Sequence, residues 1–227
     1  MTKKIDEIIN NARRQNRKIL SEYESAGLMT SVGISMAKGI LAQNLTDVQK
    51  AAKEIGYPVV LKVCSPEVSH KTEKGLVAVN LPNEADLEVA FQKISEASPD
   101  KTGGFLVQEM VKGERELVLG MIRDPQFGPC VMFGLGGIFT EIMGDVTFRP
   151  APLSETDARE MIGEIKGGKI LDAVRGMPAV DIDSLIQCLL AVSRIGLECE
   201  EIQAIDVNPL VVQGSRPVGV DALVLLR

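Results

Sequence analysis

The stretch Thr46-Asp47-Val48-Gln49-Lys50-Ala51-Ala52-Lys53-Glu54-Ile55-Gly56-Tyr57-Pro58-Val59-Val60-Leu61-Lys62-Val63 carries two different hydrophobic periods in succession. Thr46 and Gln49 predict a capping box, with the hydroxyl accepting from the third amide and the glutamine reaching back. Val48, Ala51, Ala52 and Ile55 then fall on one helical face. Gly56 predicts the stop, with Pro58 behind it. Val59 to Val63 is short, β-branched and mostly apolar, which predicts a strand. A helix running directly into a strand predicts an alternating chain.

The flanking sequence repeats that alternation. Upstream, Ile5, Ile8, Ile9, Ala12, Ile19, Tyr23 and Ala26 predict one helix over residues 3 to 27, ended by Gly27. Downstream, Gly75 to Asn80 reads as a strand, with the polar stretch Ser65 to Lys74 as a hairpin-like loop before it. A helix is expected from near Asn83, with Leu87, Ala90, Phe91 and Ile94 inward. Residues 105–110 and 116–121 read as strands. Asp124-Pro125 and Gly128-Pro129 are turn signals ahead of a strand over 130–134. Ser154 and Asp157 predict a second helix start, with Ala158, Met161, Ile162 and Ile165 behind it. A helix over 183–195 is expected to end near Gly196, and strands are expected near 202–207 and 218–225. The alternation argues for an α/β protein. Two lobes are expected: residues 1–107, an N-terminal helix and first lobe, and residues 108–227, a second lobe.

Composition narrows the function classes. The 227 residues are 45% hydrophobic and 25% charged, an ordinary balance for a folded domain. A net charge of −6 argues against non-specific nucleic-acid binding, which depends on Lys and Arg neutralising phosphates. No Trp, two Tyr and six Phe leave little material for stacking on bases. No apolar run is long enough for a transmembrane helix. The charged start, Met1-Thr2-Lys3-Lys4, lacks a signal core, so a cytoplasmic location is expected. Cys64, Cys130, Cys188 and Cys199 form no close pair, and with one histidine a zinc site is not expected. Buried thiols in a reducing compartment are expected instead.

Four features carry possible chemistry. Lys62 interrupts an apolar strand, where an ammonium needs a partner or serves as a phosphate clamp. The loop Ser65-Pro66-Glu67-Val68-Ser69-His70-Lys71-Thr72-Glu73-Lys74-Gly75 suits either a solvated hairpin or a phosphate-covering loop. Within it His70 suits acid–base work or phosphoryl acceptance, and equally neither. Gly134-Leu135-Gly136-Gly137 lets a backbone approach a ligand, or simply makes a tight strand-to-strand turn. It does not follow the dinucleotide pattern, and no phosphate loop ending in Gly-Lys-Ser/Thr is present. Asp206 and Asn208 share one face of a strand, because side chains alternate. With Asp221 they offer oxygens to a hard cation such as Mg²⁺; the competing reading is an Asn208-Pro209 turn.

Taken together, these segments resemble the ATP-grasp beta subunits of ADP-forming acetyl-CoA synthetases (acetate–CoA ligases), relatives of succinyl-CoA synthetase. The resemblance rests on Gly56 to Lys62, Ser69 to Val77, Gly128 to Glu141, Arg149-Pro150-Ala151-Pro152-Leu153 and Ile205 to Leu210, and covers nearly the whole chain. It implies an α+β ATP-grasp fold whose two lobes hold a nucleotide in a cleft. It implies the reaction acyl-CoA + ADP + phosphate to carboxylate + CoA + ATP, with ATP/ADP and Mg²⁺ bound here. A partner alpha subunit with CoA-binding and phosphohistidine domains is implied, in an α2β2 hetero-oligomer. Carried over, Lys62 holds phosphates, the connection including Gln108, Glu109 and Val111 reads the adenine, and Glu116 binds ribose hydroxyls. Asp206, Asn208 and Asp221 hold Mg²⁺, His70 is a transient phosphoryl carrier, and Glu141 lies near the incoming phosphohistidine. The chain ends soon after Asp221, so the further domain of succinyl-CoA synthetase is expected on the partner. Rival readings are a single-chain carboxylate–amine ligase, a non-catalytic nucleotide sensor, and a plain interaction domain.

Overall fold

The computed structural model describes residues 3–65, 75–98, 104–137 and 144–227. The chain opens with α1 (Lys3–Arg14) and α2 (Glu22–Ser31). The single helix expected over 3–27 is broken. Asn16 takes a left-handed φ of 52°, which Asn tolerates better than most residues. Beyond it Ile19 pairs with Leu225, and the Leu20 N–H donates to the Val224 carbonyl at 3.0 Å. Backbone pairing to a strand edge therefore outcompetes helix continuation. Arg17 braces the corner through two hydrogen bonds to the Glu24 carboxylate, at 2.7 and 2.8 Å. Gly27 lies inside α2 rather than at its end.

Packing groups the chain into two compact units. The smaller comprises Ser21–Tyr23 and Ala37–Met110, and the larger Met1–Leu20, Glu24–Met36 and Val111–Arg227. The two units part at Met110/Val111. The N-terminal helix goes with the C-terminal half, because Ile5, Ile9, Ala12, Leu28 and Met29 join its core.

In the smaller unit, β1 (Gly39–Ala42), β2 (Val59–Val63), β3 (Val77–Leu81) and β4 (Phe105–Glu109) form an antiparallel sheet of order β1-β4-β2-β3. Helices α3 (Leu45–Ile55) and α4 (Glu84–Ala97) cover one face. Asn44, not Thr46, caps α3, its side chain accepting from the Asp47 N–H at 3.0 Å; Asn83 caps α4 in the same way. The helix therefore starts earlier than Thr46 predicts, and the orphan N–H that is capped is that of Asp47. Gly56 ends α3 at φ 90°, where a side chain would be strained. Val59, Leu61, Val63 and Val107 pack with Val48, Ala51, Ala52, Leu87 and Ile94 beneath the sheet.

The larger unit is built on a second antiparallel sheet. Its strands are β5 (Glu116–Asp124), β6 (Gly128–Leu135), β7 (Val146–Pro150), β8 (Ile202–Gln213), β9 (Arg216–Gly219) and β10 (Ala222–Leu226). The order is β10-β8-β5-β6-β7, with β9 on the far half of β8. Every strand pairing among the described residues is antiparallel, which corrects the α/β reading to α+β. Helices α5 (Glu155–Glu164) and α6 (Ile182–Glu198) pack on one face, with a 3₁₀ turn at Gly168–Leu171 between them. The capping box expected at Ser154 and Asp157 is present. Helix α6 does not stop at Gly196. That glycine is buried in its last turn, where a Cβ would crowd Pro129 at 3.0 Å, and Cys199 closes the helix. Leu189 and Val192 of α6 are fully buried, each burial stabilising by about 2 kcal/mol.

Candidate functional site

Residue alternation places Lys62 before any ligand is considered. Leu61 and Val63 point into the core under α3 and α4, so Lys62 points to the opposite face. Its strand neighbours are Leu106 on β4 and Val77 on β3. Gln108, directly opposite Val60, shares that face and is buried. Lys62 is only 7% exposed, and its Nζ donates to the Glu22 carboxylate at 2.7 Å. Glu22 is itself 4% exposed and is the first residue of α2, where helix N–H groups favour an anion. The continuous helix expected over 3–27 hid this residue; an acid at a helix start would have been its signal.

The connection after β4 is held at both ends. The Glu109 carboxylate accepts from the Lys38 N–H at 2.7 Å, and the Glu109 N–H donates to the Lys38 carbonyl at 2.9 Å. The Glu109 side chain thus ties down the chain entering β1. Val111 is buried. Gly113 lies against the Val212 carbonyl so closely that no Cβ fits. Arg115, 2% exposed, fastens the start of β5. Its guanidinium donates to the carbonyls of Pro178 and Gly214 at 2.8 and 3.0 Å, and to those of Ile170 and Asp172 at 3.3 and 3.4 Å. No sequence pattern marks this arginine, because its acceptors are backbone groups from distant loops.

Glu116 follows, exposed at the start of β5. Its carbonyl accepts from the Gly136 N–H at 2.7 Å, and its carboxylate lies beside Gly137. The glycine cluster is thus only partly a turn. Gly134 lies inside β6, paired with Val118 and Val146, and Gly136 and Gly137 pack on Glu116. Asp145, buried, accepts from the Lys166 and Gly167 N–H groups at 2.7 Å each and secures the loop beside this strand end.

On β8, Ile205 and Val207 point into the core, leaving Asp206 and Asn208 on the other face. Asp206 is opposite Gly120 on β5 and Leu223 on β10. The Asn208 N–H donates to the Asp221 carbonyl at 3.3 Å. Ala222 faces the core, so Asp221 shares the face of Asp206 and Asn208. The three predicted oxygen donors are therefore together on one sheet face. Asn208-Pro209 is not a hairpin turn. It sits within β8 at a bulge, where Val207 and Leu210, three apart, pair with Leu119 and Leu117, two apart. Burial pushes the Asp206 carboxyl above its ordinary value. Neither a cation nor a hydrogen-bond donor reaches it among the described residues, so its desolvation is uncompensated, as suits a site for a divalent cation. His70 and Glu141 lie outside the described residues.

A family model described as "ATP-grasp domain" matches residues 11–226. The chain is 41% identical over 228 aligned residues to acetate–CoA ligase [ADP-forming] I subunit beta of Pyrococcus furiosus, covering 98% of each protein. It covers only 31% and 33% of two longer CoA ligases that also match. Acetyl-coenzyme A synthetase 1 of Ca. Korarchaeum cryptofilum, solved with coenzyme A and Ca-AMPCP, aligns with a TM-score of 0.94 and 42% identity, covering 98% of this chain and 99% of that one. The same synthetase with coenzyme A and Mg-AMPPCP, its phosphohistidine segment pointing towards the nucleotide-binding site, aligns with a TM-score of 0.87 at 42% identity, covering 98% of this chain and 100% of that one.

Proposed function

Because the chain belongs to the ATP-grasp family, we propose that it is the nucleotide-binding subunit of an ADP-forming acyl-CoA synthetase. One observation carries this reading. The correspondence to a beta subunit runs end to end, at 41% identity over 98% of both proteins. The enzyme converts acyl-CoA, ADP and phosphate into carboxylate, CoA and ATP. This chain performs the last exchange: the N–P bond of a phosphohistidine on an alpha subunit breaks, a P–O bond to the ADP β-phosphate forms, and the freed ring nitrogen takes up one proton from water, so that neutral imidazole leaves. The partner supplies the CoA site and the histidine, in an α2β2 assembly within the cytoplasm.

Such a transfer needs position and neutralised charge more than covalent help. In the smaller unit, Lys62 supplies a fixed cation for phosphate oxygens, and Gln108 and Glu109 lead into the backbone that reads adenine. In the larger unit, Val111 continues that backbone and Glu116 accepts from ribose hydroxyls. Asp206, Asn208 and Asp221 share a sheet face and would hold Mg²⁺. When bound, the ion neutralises phosphate charge. His70 is assigned as a transient phosphoryl carrier and Glu141 as the carboxylate beside the incoming phosphohistidine, both on the strength of the resemblance. The reading is tested by mixing this chain with an alpha subunit, acetyl-CoA, ADP, phosphate and Mg²⁺. ATP should form only when both chains are present; ATP formed by this chain alone would contradict the division of labour.

A further inference from the structure

We propose that Glu22 is the positioning residue for Lys62: its carboxylate holds the ammonium aimed at phosphate oxygens. The inference rests on the phosphate role given to Lys62 above. The geometry demands some such partner. Lys62 occupies the second strand of the sheet, between β4 and β3, with every residue of β2 buried. An ammonium there is costly to desolvate, and its flexible stem has several rotamers. Glu22 answers both problems. It is 2.7 Å from Nζ, with side-chain exposures of 8% for Lys62 and 2% for Glu22, so water neither screens nor replaces the pair. Glu22 is the first residue of α2, where the N–H groups of the first turn suit a carboxylate. An exposed ion pair would contribute little. A buried one, held at short range in a fixed geometry, fixes where the charge points.

A positioning role separates from a merely structural one by what it does to phosphate binding. The measurement is calorimetric affinity of the intact chain for Mg-ADP and for adenosine, in the parent, Glu22→Gln, Glu22→Asp, Lys62→Ala and the Glu22→Gln/Lys62→Ala double variant, with melting temperatures alongside. Glu22→Gln should weaken Mg-ADP about tenfold or more, the scale of a lost charged hydrogen bond, and leave adenosine unchanged. Glu22→Asp should recover part of the loss. The double variant should bind Mg-ADP no more weakly than Lys62→Ala alone, since Glu22 acts through that lysine. Unchanged Mg-ADP affinity in Glu22→Gln, beside a loss in Lys62→Ala, would overturn the role of Glu22 alone. Unchanged affinity in Lys62→Ala would overturn the phosphate reading of Lys62 and this inference with it. Equal losses for Mg-ADP and adenosine in Glu22→Gln would mark a structural pair and overturn positioning.

Discussion

Gly137 turns at φ 63° directly beside Glu116, and a Cβ placed on it would stand 2.7 Å from the carboxylate Oε2. Gly136, one residue earlier, would place a Cβ 2.8 Å from the Leu117 carbonyl. The pair of glycines therefore serves as a seat for Glu116 as well as a chain reversal. Gly137→Ala should be strained in its backbone and push the carboxylate aside. The expected result is weaker Mg-ADP binding, with the preference for ADP over 2′- or 3′-deoxy-ADP largely lost. Glu116→Gln should reduce the same preference without the strain. A Gly137→Ala protein that still discriminates deoxynucleotides as the parent does would remove Glu116 from the ribose.

Arg115 is a structural clamp rather than a phosphate ligand, since its donors are directed at the carbonyls of Ile170, Asp172, Pro178 and Gly214. Arg115→Met keeps much of the side-chain volume but leaves those acceptors unpaired. The expected cost is about 3 kcal/mol or more, read from urea unfolding. That is a large share of the roughly 5–15 kcal/mol that holds a typical domain together. A variant as stable as the parent would show that water satisfies these carbonyls.

Helix α6 begins at Asp181, whose carboxylate accepts from the Ser184 N–H at 3.0 Å and from the Ser184 hydroxyl at 2.7 Å. The backbone hydrogen bond from Ser184 holds the Asp181 carboxyl below its ordinary value. A depressed folded-state pKa means the unfolded chain binds the proton more readily. Its contribution is therefore present above the ordinary aspartate range and lost as pH falls through the lower folded value. Asp181→Ala should melt below the parent at neutral pH, and the gap should narrow on acidification below pH of about 4. A gap independent of pH would mean the charge contributes nothing beyond shape.

Burial pushes the thiols of Cys188 and Cys199 to about 11. Cys130, on β6, is only partly buried. At pH 8 iodoacetamide should alkylate Cys130 first, with Cys188 and Cys199 reacting only after denaturant is added. Early loss of the Cys188 thiol, followed by peptide mass spectrometry, would show that α6 opens in the native protein.

Features decided by near neighbours in the chain are legible in the sequence. The Ser154 and Asp157 box, the Gly56 stop, the Asn83 start and the β2 strand all depend on residues a few positions apart. Features set by partners far along the chain are not legible there. Ile19 and Leu20 abandon helical geometry for Leu225 and Val224, and Gly196 is tolerated inside α6 because Pro129 and Met121 press against it. The bulge at Asn208-Pro209 is likewise set by pairing with β5, not by the local turn signal. Asp206 and Asn208 are legible as one face because strand alternation is local; the position of Asp221 beside them depends on the pairing of β10 with β8. Glu22 and Arg115 are not legible, since each acts on groups at least 40 residues away.

One measurement separates a nucleotide half of a two-chain enzyme from a chain that only binds nucleotide. This chain is incubated with [γ-³²P]ATP and Mg²⁺, alone and with its alpha subunit, and acid-labile, base-stable label is located by chain. Label is expected on the partner's histidine, and only when this chain is present. An unlabelled partner, with nucleotide demonstrably bound to this chain, would contradict this expectation.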